Sequence, residues 1–179
     1  RVGVCSGGCT LLSSAPARPG PTRLAAAFAL ETCKGGDRCL FLSYEESAGQ
    51  LVHNLRSFGL NLEPLITEGL LKLVSTRPSF FGLEMHLLDL YKTIGDFKPS
   101  AVVIDPLTSL IGEGSQREIQ SMVTRMIDLL KSRGVTGFFT SLVPSTSQNV
   151  TSGEVGVSSL IEPWVIVREL EEIWSKTRF

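Results

Sequence analysis

The chain has 179 residues, 42% of them apolar, enough for one well-filled core and too few for two, so a single domain over residues 1–179 is expected. A formal net charge of −1 argues against a general nucleic-acid binder or a protein that coats acidic lipid. No stretch approaches the roughly 18 uninterrupted apolar residues of a membrane span, and the N-terminus lacks a signal-peptide pattern, so the expected setting is soluble and cytoplasmic.

In chain order, the apolar run Thr10–Ser14 predicts a first strand, and Leu24, Ala25, Phe28 and Ala29 predict a helix over Thr22–Lys34 that stops at Gly35-Gly36. Between them lies Ala15-Pro16-Ala17-Arg18-Pro19-Gly20-Pro21-Thr22, where a strand–loop–helix unit carries a phosphate loop of the form G-x-x-x-x-G-K-[ST]. Gly20 and Thr22 fit that pattern; Ala15 takes the first glycine's place and Pro21 the lysine's. Three prolines remove three amide donors, so this loop offers fewer N–H groups to a polyanion than a glycine-rich one. Arg18 and Arg23 bring cationic charge nearby, although a guanidinium fork does not replace a lysine's point charge. The competing reading is a surface turn with two solvated arginines.

A second strand is expected over Arg38–Ser43, followed by a helix opened by Glu45-Glu46-Ser47, faced by Leu51, Val52 and Leu55 and ended at Gly59. Further on come a strand at Leu70–Val74, a helix at Gly82–Gly95, a strand at Ala101–Asp105, a helix at Glu118–Arg133, and strands at Val135–Ser141 and Trp164–Arg168. Such alternation predicts a mainly parallel, doubly wound α/β sheet flanked by helices, with ligands bound beyond the strands' carboxyl ends. Cys5, Cys9, Cys33 and Cys39 lack histidines at metal spacing and read as buried or free thiols.

The strand ends then supply the candidate chemistry. Asp105 closes Val102-Val103-Ile104-Asp105 and is placed to hold the water shell of Mg²⁺, the structural alternative being a cap on the turn before Pro106. Glu45 and Glu46 offer one carboxylate to activate a water and another to pair with a cation or cap the helix, although acidic first turns are also ordinary dipole complements. Thr140 and Ser141 stand where hydroxyls sense a γ-phosphate.

The series resembles the KaiC-type RecA-like ATPases. The resemblance rests on Phe41-Leu42-Ser43-Tyr44-Glu45-Glu46-Ser47, Gln50-Leu51, Phe58-Gly59, Gly69-Leu70-Leu71, Gly82-Leu83-Glu84 with His86-Leu87, Phe97-Lys98-Pro99, Val103-Ile104-Asp105-Pro106-Leu107-Thr108-Ser109-Leu110, and Val157-Ser158-Ser159-Leu160-Ile161. It implies a RecA-like fold, ATP with Mg²⁺ at subunit interfaces of a homohexameric ring, regulatory protein partners, catalytic Glu45 and Glu46, and magnesium at Thr22 and Asp105. Ala15, Arg18, Gly20, Pro21, Thr22, Arg23, Asp105 and Ser141 are then the nucleotide-binding set, and Ser158 and Ser159 align with a self-phosphorylated pair. Relative to that family the chain departs at Pro21. It also begins without the usual lead-in, Ser6-Gly7-Gly8 standing as its remnant, and ends before the hairpin whose K-x-R only Lys176-Thr177-Arg178 echoes. Two further readings follow: a pseudo-ATPase serving as an assembly module, and a DNA recombinase or helicase motor. The last has little support, because the stretch Leu142–Ser159 holds no lysine, arginine or aromatic residue.

Overall fold

Residues 101–104 are small or β-branched and fully shielded from solvent, and they form the spine of a six-stranded sheet. The computed structural model describes residues 10–16, 20–77, 82–113, 115–143 and 164–166. In chain order they form β1 (Thr10–Pro16), α1 (Gly20–Lys34), β2 (Cys39–Ser43), α2 (Ala48–Ser57), α3 (Glu63–Thr67), β3 (Leu71–Ser75), α4 (Leu83–Phe97), β4 (Ala101–Asp105), a 3₁₀ helix (Leu107–Glu113), α5 (Gln116–Ser132), β5 (Thr136–Val143) and β6 (Trp164–Ile166). The strand order is β3-β2-β4-β5-β1-β6, and every pairing is parallel.

Strand alternation sends side chains to two cores. Phe41, Val103 and Phe138 meet Ala25, Ala29, Leu51 and Leu55 on the side of α1 and α2. Leu40, Val102, Ile104 and Phe139 meet Leu90, Ile94, Met126 and Leu130 on the side of α4 and α5. Each fully buried large side chain contributes about 1.5–3 kcal/mol. The expected doubly wound sheet is therefore what forms.

Several boundaries differ from the sequence reading, each for a local reason. α1 starts at Gly20, ahead of the expected Thr22, because Pro21 falls in the first turn, where no amide is needed and its fixed φ suits a helix. α2 starts at Ala48, since Ser47 is its N-cap and accepts from the Gln50 amide, which leaves Glu45 and Glu46 in the turn before the helix. α5 likewise starts at Gln116 under a capping box of Ser115 and Glu118. α4 runs past Gly95 to Phe97 and ends on Lys98 at φ 51°. The one-turn α3 and the 3₁₀ helix were not foreseen.

Candidate functional site

The register of the sheet builds the site. Ser43 pairs with Asp105, Ile104 pairs with Phe139, and Ser13 pairs with Thr140, so one row of polar side chains crosses the carboxyl ends of β2, β4, β5 and β1 on the α1 side. Thr22, in the first turn of α1, reaches the same row from above.

Asp105 is its centre. The Thr22 hydroxyl donates to Asp105 Oδ1 at 3.2 Å, and the fully buried Thr140 hydroxyl donates to that same oxygen. Burial is the larger influence and pushes the Asp105 carboxyl up; the Thr140 and Thr22 hydrogen bonds pull it back, and the charges of Glu45 and Glu46 push it up again. Among the described residues no ion pair reaches Asp105. Ser13 lies beside Thr140 with its buried hydroxyl unpartnered.

Glu45 and Glu46 are fixed by different neighbours. Ser109 of the 3₁₀ helix donates to Glu45 Oε1 at 2.9 Å, and Asn54 of α2 donates to Glu46 Oε2 at 3.0 Å. Their turn is itself tied to the sheet. The Ser43 and Ser75 hydroxyls donate to the Glu46 carbonyl at 2.9 and 2.6 Å, and the Tyr44 amide donates to the Asp105 carbonyl at 2.9 Å. Two carboxylates are thus held near Asp105 at the carboxyl end of the sheet, close enough for their charges to act on it.

The other expected site residues are placed as follows. Gly20 and Pro21 form the start of α1, with Pro21 buried and open space around the Gly20 Cα. Arg23 lays its guanidinium 4.5 Å over the ring of Phe58, a cation–π contact at the end of α2. Ser141 is buried on the opposite sheet face from Thr140, by the alternation that splits Phe138 and Phe139 between the two cores. Ala15 belongs to β1. Arg18, Ser158, Ser159, Lys176 and Arg178 lie outside the described residues, as do Cys5 and Cys9. Cys33 and Cys39 are free and buried, and burial pushes both thiols up, which makes them poor nucleophiles.

The residues that hold the site were less legible than the residues that form it. Asn54, Ser75 and Ser109 act through side-chain reach, which spacing along the chain does not encode. Thr140 had a signal: it shares the strand parity of Phe138, on the face that α1 covers.

A sequence profile of the KaiC ATPases matches residues 3–178. The chain is 42% identical over 167 residues to the circadian clock protein KaiC2 of Synechocystis sp., an alignment covering 91% of this chain and 29% of that protein. It is 31% identical over 179 residues to the circadian clock oscillator protein KaiC of Acaryochloris marina, covering 98% of this chain and 34% of the relative. With KaiC of Picosynechococcus sp. it shares 33% identity over 163 residues, covering 89% and 30% respectively. The chain spans about a third of the length of these curated relatives. With a parallel sheet, a strand-end aspartate bonded to the first threonine of α1, and a family profile that covers nearly the whole sequence, this chain belongs to the KaiC family of ATPases and has its RecA-like α/β fold.

Proposed function

We propose that the crevice binds ATP with Mg²⁺, and that the chain is a KaiC-like nucleotide-binding domain that works in a homohexameric ring in clock-type regulation. The observation that carries this reading is the hydrogen bond from Thr22 to Asp105, with Glu45 and Glu46 held at the same edge.

The donors suit a hard divalent cation. Thr22 and Asp105 present only oxygen, and Thr22 gives its proton to Asp105, which leaves its lone pairs free. Among the described residues no cluster of three His, Cys, Asp or Glu could hold a metal by itself, so magnesium here needs phosphate oxygens and water as well. The phosphate side fits less well, because Pro21 stands in the lysine's place and brings neither charge nor amide proton. A charge-assisted contact of that kind contributes about 1.5–3 kcal/mol. Weak nucleotide binding follows.

Bound nucleotide supplies a γ-phosphoryl group open to in-line attack. Toward it, Glu45 and Glu46 offer carboxylates that orient an attacking hydroxyl or water and accept its proton. Ser158 and Ser159 remain proposed phosphoacceptors, and Ser141 and Arg23 proposed nucleotide contacts. The second reading, a pseudo-ATPase that serves as an assembly module for regulatory partners, rests on the buried Pro21 itself.

The test is a titration of the purified chain with fluorescent ATP and Mg²⁺, alongside Asp105→Ala and Pro21→Lys. Binding by the parent that is lost in Asp105→Ala supports a working nucleotide site. Binding by Pro21→Lys alone supports the pseudo-ATPase. Phosphate release that falls in Glu45→Gln and Glu46→Gln while ATP still binds assigns those carboxylates to hydrolysis.

A further inference from the structure

Thr140 stands out among the hydroxyls of the crevice. It is fully buried, and its single proton goes to Asp105 Oδ1, the oxygen that also receives Thr22. Each carboxylate oxygen has two lone-pair sites. Two hydroxyls therefore saturate Oδ1, and Oδ2 is the oxygen left to accept anything that enters.

The two donors are not equally constrained. Thr22 sits on the first turn of α1, directly after the loop, whereas Thr140 lies on β5, which pairs with β4 on one side and β1 on the other. Ser13↔Thr140 is a paired position, and Ile104↔Phe139 is the pair immediately before Asp105 and Thr140. Thr140 and Asp105 stand on adjacent central strands, so the sheet fixes where their hydroxyl and carboxylate meet, whereas Thr22 is carried by the first turn of a helix.

We infer that Thr140 is a positioning residue: by holding Oδ1 against β5 it turns Oδ2 of Asp105 toward the crevice, so that a magnesium ion's water shell meets one fixed oxygen. The inference rests on the reading of the crevice as a magnesium–nucleotide site. It gives Thr140 a role other than direct contact with the γ-phosphate, since Thr140 acts through Asp105.

The experiment is a Mg²⁺ titration of fluorescent-ATP binding at constant nucleotide for the parent, Thr140→Val and Thr140→Ser, with melting temperatures taken without Mg²⁺. Valine keeps the shape of threonine and deletes the donor. Thr140→Val is expected to raise the half-saturating Mg²⁺ concentration about tenfold, the scale of one lost hydrogen bond to a charged group. Thr140→Ser, which restores the donor, should stay near the parent. A merely structural Thr140 would lower the melting temperature and leave the Mg²⁺ midpoint in place, and that result overturns the inference while nucleotide binding stands. A parent that binds no ATP at any Mg²⁺ concentration overturns both. Should Thr140→Val lose cooperative melting, Thr140→Ala against Thr140→Ser decides by the same criterion.

Discussion

Asp105 is a buried acid whose surroundings, summed, favour its proton, because desolvation outweighs the two hydroxyls that donate to it. Its pH dependence has a definite sign. A carboxyl raised in the folded state leaves stability intact below the ordinary carboxylate range and erodes it as pH rises through the raised value. Asparagine keeps an acceptor for Thr22 and Thr140 and cannot ionise. Asp105→Asn is therefore expected to melt higher than the parent at neutral pH without Mg²⁺, with the difference closing on acidification, and to lose Mg²⁺-dependent nucleotide binding. Melting curves across pH check the first and a binding titration the second. Tyr44 gives a second pH limb. Burial chiefly, with Asp89 adding, pushes its phenol from 10.0 up to about 12, so stability is full below pH 10 and falls as pH rises toward 12. Tyr44→Phe should flatten that alkaline fall in melting temperature.

At the scale of elements, close packing of α5 on β5 is the sharpest constraint. A Cβ added at Gly137 would lie 2.9 Å from Leu130 Cδ1, so the helix side chain must move. Gly137→Ala should destabilise by about 1–3 kcal/mol, as overpacked cores do, measurable by urea unfolding. Sequence served well where one signal dominated. Val102-Val103-Ile104-Asp105 reads as a strand because β-branched residues buried on both faces leave no alternative, and the strand-end rule then brings Asp105, Glu45 and Glu46 together. It served less well where local pieces were short. α3 spans a single turn from Glu63 to Thr67, too brief for a 3.6-residue period to appear. Thr140, Asp105's second donor, stands next to Ser141 at one strand end, and only the parity set by Phe138 and Phe139 separates the two. Arg23's place just after the loop suggests charge for the loop, and nothing in its spacing marks Phe58 as its partner.

For the whole molecule, two cores on either side of one parallel sheet bind helices from both ends of the described chain into a single unit. Among the described residues no helix is long and apolar enough to cross a membrane. A ligand that binds only the folded chain stabilises it by mass action, so Mg²⁺ and ATP at a hundred times their dissociation constant should add about 2.7 kcal/mol to the unfolding free energy, read as a shift in the urea midpoint. Asp105→Ala should abolish that shift.

The two hydrogen bonds that meet on Asp105 Oδ1 close chain separations of 83 and 35 residues. The first needs α1 seated over the end of β4 and the second needs β5 beside β4, and long loop closures of this kind come late because their entropy cost precedes their reward. The crevice is thus a product of completed topology and has no local precursor. In a refolding time course, helical signal should return first and nucleotide capture last, which makes ligand binding a clock on the final ordering of the sheet.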